Sequence, residues 1–123
     1  MKVFILIHGV GIDLVEIARI RDWYVKRPAM AEKILTKDEL EIFNEMSLEK
    51  RKIEFIAGRF AVKEAFTKAM GTGLGKDFGF HSINCLPDSN GKPEIRLEGY
   101  SIFPSITHTE HYAEAIVIVE RET

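Results

Sequence analysis

Apolar positions along the chain recur with a helical period in two segments. Between residues 16 and 26, and again between residues 48 and 70, they are three and four residues apart, as in amphipathic helices. Pro28 ends the first segment, because a proline ring interrupts a helix. The second helix, at about 1.5 Å per residue, is about 33 Å long. It is expected to form the spine of the domain and to bury Ile53, Ile56, Phe60 and Ala61.

Strand patterns lie at both ends of the chain. Residues 1–7 are apolar and β-branched, which predicts a buried strand. After Gly75 four more strands are predicted, at 80–86, 93–97, 105–108 and 112–120, with a turn at 88–91 between the first two. The last strand is apolar on both faces around residues 116–119, so burial on both faces is expected. A chain of 123 residues in the order strand, helices, strands predicts one α+β domain, 1–123.

Two local signals refine the helices. Thr36 and Glu39 have the spacing of a capping box, and an apolar face begins at Leu40. Gly58 lies inside the second long helix at a cost of about 1 kcal/mol relative to alanine. This favours close packing of another backbone against Gly58, and a tolerated defect is the alternative.

A carboxylate on the apolar side of the second long helix is the first sign of chemistry. Glu64 lies four residues from Phe60 and four from Lys68, among alanines at helical spacing. Burying a carboxylate costs free energy unless a positive group meets it. The simpler interpretation is an i,i+4 ion pair with Lys68, worth about 0.2–0.5 kcal/mol. The helix is predicted to stop at the glycines of 71–73.

A second carboxylate follows a pair of glycines. Gly9 and Gly11 allow either a sharp change of direction or a close approach of another backbone. Asp13 directly precedes a helical stripe, so a helix N-cap is its simpler interpretation. Asp13 and Glu64 each lie at an apolar–polar boundary, in segments that could pack together. Two carboxylates, completed by phosphate oxygens and water, are the ligands that Mg²⁺ takes.

Composition narrows the class of protein. The formal net charge is −2, and the chain has no basic excess to favour nucleic acid as a partner. The single cysteine, Cys85, excludes an internal disulfide, fits a reducing compartment and lies in an apolar run that indicates packing. Residues 1–7 are too short to span a membrane and lack the features of a signal peptide. The expected location is the cytoplasm.

Five segments, in order, extend over nearly the whole chain. They are Gly-Ile-Asp-Leu-Val-Glu-Ile at 11–17, Ile-Leu-Thr-Lys-Asp-Glu-Leu at 34–40, Ala-Gly-Arg-Phe-Ala-Val-Lys-Glu-Ala-Phe-Thr-Lys-Ala-Met-Gly-Thr-Gly at 57–73, Asn-Gly-Lys-Pro at 90–93 and Ser-Ile-Thr-His-Thr at 105–109. In these segments the chain resembles the holo-acyl-carrier-protein synthases, the short bacterial class of phosphopantetheinyl transferases. The resemblance implies a small antiparallel sheet packed against a long helix. The chain departs from the family's pattern at its first seven residues, which are additional, and at residues 97–104, which form a shorter segment than is usual in the family.

The resemblance also implies a reaction, the Mg²⁺-dependent transfer of phosphopantetheine from coenzyme A to a serine of apo-acyl carrier protein in fatty acid biosynthesis. A hydroxyl then attacks the β-phosphorus of a pyrophosphate, so positioning and positive charge supply most of the catalysis. Asp13 and Glu64 are the implied metal ligands, and Lys68 is the implied donor to a phosphate oxygen. Glu64 and a metal-bound water are both candidates to remove the serine proton.

Further residues are implied to hold coenzyme A. Arg59 suits the ribose phosphate, because a guanidinium matches a phosphate dianion. His108, in the matching segment 105–109, is a second candidate for this phosphate. The basic run 50–52 either adds to these phosphate contacts or is a solvated helix start. Gly71 is at a helix C-terminus, where the dipole is negative, so a hinge for the pantetheine arm is favoured over a phosphate cradle. The other implied contacts are Gly91, Lys92, Pro93 and Thr109, of which the first three form a turn that could contact the adenine.

The implied protein partner is an acidic acyl carrier protein. A basic helix face steers such a partner even on a chain of negative net charge. The candidates are Arg19, Arg21, Lys26 and Arg27, and ordinary solvated charges are the alternative for the last two. A homotrimer with sites at its subunit junctions is implied as well. Two other classes remain open: a non-catalytic carrier-protein-binding module, and a Mg²⁺-dependent pyrophosphatase that cleaves coenzyme A with water.

Overall fold

A three-stranded antiparallel sheet covered by a 22-residue helix forms the body of the fold. The computed structural model describes residues 6–72 and 78–122. Strands β1 (Ile7–Glu16), β4 (Tyr100–His108) and β5 (Tyr112–Arg121) are arranged in the order β1-β5-β4. Strands β2 (Cys85–Pro87) and β3 (Pro93–Ile95) form a separate antiparallel hairpin. The predicted α+β class and small antiparallel sheet are confirmed.

The helices at 17–26, 37–45 and 49–70 lie where the sequence predicts them, whereas the short helix at Met30–Ile34 was not predicted. Helix α1 spans Ile17–Lys26, α2 spans Met30–Ile34, α3 spans Lys37–Glu45 and α4 spans Glu49–Met70. Within the described residues, none of these helices is both long enough and apolar enough to cross a membrane. Helix α4 packs on β1, β4 and β5 and also on α1 and α2, which explains why its buried positions extend round much of its surface.

Both ends of these helices follow local chemistry. The Thr36 hydroxyl accepts the Glu39 N–H at 3.1 Å and the Glu39 carboxylate accepts the Thr36 N–H at 2.8 Å, so the predicted capping box is confirmed. Helix α4 ends at Gly71, whose φ of 84° is left-handed, and the predicted helix stop is confirmed. Gly73, the other glycine of that stop, lies outside the described residues.

Strand β1 corrects the sequence prediction at the amino terminus. The strand runs through both glycines and through Asp13, so Asp13 is a strand residue and its predicted N-cap role is wrong; Glu16 precedes α1 instead. Residues 1–5 of the predicted strand lie outside the described residues, and Ile7 is exposed rather than buried. A Cβ on Gly9 or Gly11 would lie 1.9 or 1.8 Å from a carbonyl oxygen of α4. The glycines therefore permit the close backbone approach, the second of the two alternatives.

The sheet has one buried and one exposed face. Along β5 Val117 and Val119 are buried against α4, whereas Ile116 is 38% exposed, so the prediction of burial on both faces is wrong for the single chain. One helix covers one face only, and nothing else among the described residues covers the other. The large side chains exposed on that outer sheet face are Val10, Ile12, Leu14, Phe103, Tyr112 and Ile116.

Four smaller expectations are also corrected. Residues 80–82 form a 3₁₀ turn, so the strand predicted at 80–86 is confined to β2. Strand β4 begins at Tyr100 rather than at residue 105, because the left-handed Gly99 (φ 87°) turns the chain directly into it. Gly58 is approached by a side chain, not a backbone, since a Cβ there would lie 3.1 Å from Cγ2 of Ile106. Phe60, expected to be buried, is half-buried.

Candidate active site

Two carboxylates and a lysine meet where β1 crosses α4. Asp13 lies on the same face of β1 as Gly11, so the glycine brings its carboxylate to the surface of α4. Lys68 Nζ lies 3.0 Å from Asp13 Oδ1 and 3.0 Å from the Ile12 carbonyl oxygen. The i,i+4 pair expected between Glu64 and Lys68 is absent from the ion pairs of the described residues, because Lys68 reaches across to β1 instead.

Glu64 is next to this pair and half-buried. Burial raises the pKa of its carboxyl, the negative charge of Asp13 raises it further, and Lys68 and Arg19 lower it. These influences place all three charged groups around Glu64. The predicted juxtaposition of Asp13 and Glu64 is therefore found. Within the described residues no group of three or more His, Cys, Asp or Glu side chains has the arrangement of a metal site.

A small basic pocket lies near the start of α4. It has a volume of about 140 Å³ and brings together Arg51, Arg59 and His108 with Glu54. His108 Nε2 lies 3.4 Å from a carboxylate oxygen of Glu54, which is 11% exposed. The sequence predictions of Arg59 and His108 therefore converge on one place, and of the run 50–52 only Arg51 lines it. Glu54 was not predicted, because a glutamate on a charged helix start resembles a solvated residue.

Arg59 is held on two sides. Its Nε donates to the Cys85 carbonyl oxygen at 3.1 Å, and its guanidinium carbon lies 4.4 Å from the centre of the Phe55 ring. Nε is one of five N–H donors, so the terminal nitrogens remain directed elsewhere and can bind an anion in two-point fashion.

The other predicted coenzyme A contacts are dispersed. Gly91 and Lys92 are exposed in the β2–β3 turn and Pro93 begins β3, so the turn prediction is confirmed, and none of the three lines the Arg59 pocket. Gly71 is exposed at the end of α4. Thr109 Oγ1 accepts backbone N–H groups of residues 111 and 112, so its hydroxyl holds the β4–β5 turn next to His108.

The predicted basic residues lie along and just after α1. Lys26 lies seven residues, or about two turns, after Arg19 and therefore on the same side of the helix. Arg21 lies on the other flank of the buried stripe. Arg19 is close enough to lower the pKa of Glu64, so its face adjoins the carboxylates. Arg27 follows the helix and is exposed.

A buried ion pair was missed by the sequence analysis. Lys63 Nζ lies 2.6 Å from Glu39 Oε1, and both side chains are fully buried. Burial lowers the pKa of Lys63, and Glu39 opposes this shift. The available signal was that Lys63 shares the stripe of Ile56 and Phe60 on α4. Cys85, expected to be a packing residue, is fully buried, and its burial raises the thiol pKa to about 11.

The chain thus carries two carboxylates with a lysine, and separately a pocket that contains two arginines and a histidine. These groups suit a phosphate-containing substrate and a cation. The family model of the 4'-phosphopantetheinyl transferase superfamily matches residues 9–119, and this chain belongs to that superfamily.

Particular relatives are similar over nearly their full length. A holo-[acyl-carrier-protein] synthase of Staphylococcus aureus (strain JH9) is 55% identical over 116 residues, which are 94% of this chain and 98% of the relative. The crystal structure of a Bacillus anthracis str. Ames holo-(acyl-carrier-protein) synthase in complex with CoA (3',5'-ADP) has a TM-score of 0.89 and 38% identity, over 96% of this chain and 100% of that chain. The Helicobacter pylori holo-[acyl-carrier-protein] synthase in complex with coenzyme A has a TM-score of 0.79 and 32% identity, over 89% and 98%.

Proposed function

We propose that this protein transfers the phosphopantetheine group of coenzyme A to a serine of apo-acyl carrier protein and releases adenosine bisphosphate, as a step that supplies fatty acid biosynthesis. The observation that carries the proposal is the meeting of Asp13, Glu64 and Lys68 between β1 and α4. It is supported by the similarity to holo-acyl-carrier-protein synthases, two of them in complexes with coenzyme A.

The carboxylate pair fits a magnesium ion. The charge of Asp13 raises the pKa of Glu64, so the two groups repel each other, and a divalent cation held by both would remove that repulsion. Their oxygens are the ligand type that Mg²⁺ prefers, with phosphate and water completing its shell. Mg²⁺ bound there would neutralise charge on the pyrophosphate oxygens.

Lys68 and Glu64 have separate roles in the proposal. An ammonium has three N–H donors, and those of Lys68 include one directed at Asp13 and one at the Ile12 carbonyl. We assign the third to a phosphate oxygen, whose charge increases as the pyrophosphate is cleaved. For the serine proton, an oxygen of Glu64 that does not hold the metal and a metal-bound water are the two acceptors that the proposal allows.

The basic pocket is assigned to the ribose phosphate of coenzyme A. Its volume of about 140 Å³ suits a phosphate group rather than a whole nucleotide, and Arg59 and His108 both line it. Arg59 has terminal nitrogens for two-point binding. The turn at Gly91, Lys92 and Pro93 is assigned to the adenine end. Thr109, next to His108, is assigned as a further contact with coenzyme A. Gly71 is assigned as the hinge that lets the pantetheine arm pass.

The acyl carrier protein is assigned to the face of α1 that adjoins the carboxylates. The carrier serine must reach the pyrophosphate, and Arg19 is the basic residue of α1 that influences Glu64. Lys26 extends this face. Arg21, on the other flank of α1, and Arg27, just after the helix, add positive charge to the region without lying on that face.

A homotrimer is the proposed assembly. The outer sheet face exposes six large apolar side chains, Ile12 at 56% and Leu14 at 59% among them, and monomeric proteins rarely leave a large apolar patch uncovered. Self-association through this sheet would cover it, and would allow a neighbouring subunit to contribute coenzyme A contacts. The cytoplasm is the proposed location, because the one cysteine is a buried free thiol that a reducing compartment preserves.

Product analysis tests the reaction class. With Mg²⁺ and coenzyme A, adenosine bisphosphate should appear only when apo-acyl carrier protein is present, in equal amount to the modified carrier. Release without any carrier would instead assign the site to a coenzyme A pyrophosphatase. Binding of the carrier without release of adenosine bisphosphate would assign the chain to a non-catalytic binding module.

A further inference from the structure

The buried pair of Glu39 and Lys63 takes no part in the reaction proposed above. Lys63 directly precedes Glu64 on α4 but faces the interior. There its Nζ donates to the Ile34 carbonyl at 2.7 Å, to Glu39 Oε1 at 2.6 Å and to the Phe80 carbonyl at 3.0 Å. All three donors of the ammonium are used. Lys63 therefore has no donor for a substrate phosphate, and any contribution to activity must pass through another residue.

Glu39 connects this lysine to two other segments. Its Oε1 accepts both Lys63 Nζ and the Thr36 N–H, and its Oε2 accepts the Cys85 N–H at 2.7 Å. The carboxylate thus joins α4, the start of α3 and strand β2 at one buried point. Cys85 lies at the beginning of β2, so its backbone position is fixed from the amide side by Glu39.

The same residue is the anchor of Arg59. The Cys85 carbonyl accepts the Nε–H of Arg59 at 3.1 Å, while the Cys85 N–H is bound to Glu39. Arg59 and Lys63 are one turn apart on α4. This turn is linked to Cys85 in two ways, because Arg59 binds its carbonyl directly and Lys63 binds Glu39, which binds its N–H.

We propose that Glu39 and Lys63 are a positioning pair for Arg59, which fix the Cys85 backbone and thereby the direction in which the guanidinium meets the ribose phosphate of coenzyme A. This inference rests on the proposed assignment of Arg59 to that phosphate. A planar guanidinium binds a phosphate at two points only in the right orientation, so a displaced anchor reduces affinity for the phosphate and leaves the chemistry at Lys68 unchanged.

The buried pair can be removed without leaving a lone charge. Substituting one partner would leave the other as an unpaired charge in the interior. Replacing both with neutral residues of similar volume is often tolerated. Glu39→Gln keeps an oxygen for the Thr36 N–H, since glutamine also serves in capping boxes, but replaces one of the two acceptor oxygens with a donor. Combined with Lys63→Met, it removes the acceptor of the Cys85 N–H and keeps the start of α3.

The test compares coenzyme A with 3'-dephospho-coenzyme A in the carrier-modification assay. In Glu39→Gln/Lys63→Met the KM for coenzyme A should rise about tenfold, a loss equal to about 1.4 kcal/mol. The KM for the dephosphorylated donor and both kcat values should stay within about twofold, because only the phosphate contact is changed. Adding the double substitution to Arg59→Ala should raise the KM for coenzyme A no further.

Equal rises for the two donors, a fall in kcat alone, or effects additive with Arg59→Ala would each overturn the positioning role and leave a purely structural pair. If Arg59→Ala changes the KM for the two donors equally, Arg59 does not bind the ribose phosphate and the positioning role is wrong as well. Transfer by the unmodified protein would then remain as proposed. Should the double variant not fold, Glu39→Asp gives the same comparison, since its shorter side chain keeps the charge but cannot span Lys63 and Cys85.

Discussion

Lys68 on α4 donates to Asp13 on β1, and not to Glu64 one turn before it on its own helix. The ammonium thereby ties the helix to the strand at the point where the two carboxylates meet. It is 53% exposed, so the ion pair contributes less than about 1 kcal/mol to stability. The placement of Lys68 is better explained by its proposed contact with a phosphate than by support of the fold.

The repulsion between the two carboxylates is directly measurable. In Asp13→Asn the pKa of Glu64 should fall toward the ordinary range, because one cause of its rise is removed while burial remains. A carboxyl ¹³C NMR titration without Mg²⁺ reports this pKa. Asp22→Asn on α1 is the matched control and should leave it unchanged. A Glu64 pKa that does not move in Asp13→Asn would show that the two groups do not interact.

The approach of β1 to α4 depends on Gly11. A Cβ there would lie 1.8 Å from the Ala65 carbonyl oxygen, so Gly11→Ala should lower the free energy of unfolding by about 3 kcal/mol and displace Asp13 from the site. Chemical denaturation measures the loss. Gly79→Ala, where a Cβ would meet nothing within 4 Å, should change stability by less than about 0.5 kcal/mol. Similar stabilities for the two variants would contradict the close packing.

Burial of Cys85 has a consequence at alkaline pH. Its thiol pKa rises from 9.0 to about 11 on folding, so between these values the folded chain keeps a proton that the unfolded chain has lost. The stability from the neutral thiol is complete below about pH 9 and is lost as pH rises through 11, by about 1.4 kcal/mol per pH unit. The unfolding free energy of Cys85→Ala should fall less steeply over this interval than that of the unmodified chain. Parallel pH profiles would refute the shift.

The outer sheet face is expected to hold subunits together. Ile12→Asp should convert the proposed trimer to a monomer, because it buries a charge at the centre of an apolar interface. Light scattering after size exclusion gives the mass. Val25→Asp replaces a residue of similar exposure on α1, away from the sheet, and should keep the trimer. An unchanged mass in Ile12→Asp, or a monomer before any substitution, would contradict the assembly.

A specific contact between Arg19 and the carrier protein can be distinguished from an effect of net charge. Arg19→Glu should raise the KM for the carrier protein by about tenfold or more, because it places a negative charge next to Glu64 and against an acidic partner. Arg21→Glu makes the same change in net charge on the other flank of α1 and should have a smaller effect. Measurement in about 0.05 and 0.5 M salt checks that the difference is electrostatic. Equal effects of the two substitutions would remove the assignment of Arg19 to a contact.

Sequence patterns predicted the helices well and the placement of charges poorly. The capping box at Thr36 and the stop at Gly71 are local, so neighbouring residues determine them. Asp13 was misassigned, because an aspartate before a helical stripe is equally consistent with a cap and with a strand, and only the packing of Gly11 against α4 decides between them.

The other features that the sequence did not predict depend on contacts between residues that are distant in sequence. Lys63 is 24 residues from Glu39. Its place on the stripe of Ile56 and Phe60 indicates burial, but nothing nearby in the sequence identifies its partner. The apolar run at Ile116 was assigned to burial on both faces, although one face of β5 is exposed in the single chain. The convergence of Arg59 and His108 followed only from the family resemblance, and periodicity carried no sign of it.

Intact mass of apo-acyl carrier protein, after incubation with this protein, coenzyme A and Mg²⁺, tests the central claim most directly. The carrier should gain the mass of one phosphopantetheine, and this gain should be lost when a chelator is added and absent in Asp13→Ala. An unmodified carrier under conditions where coenzyme A is bound or cleaved, or full activity in Asp13→Ala, would contradict it.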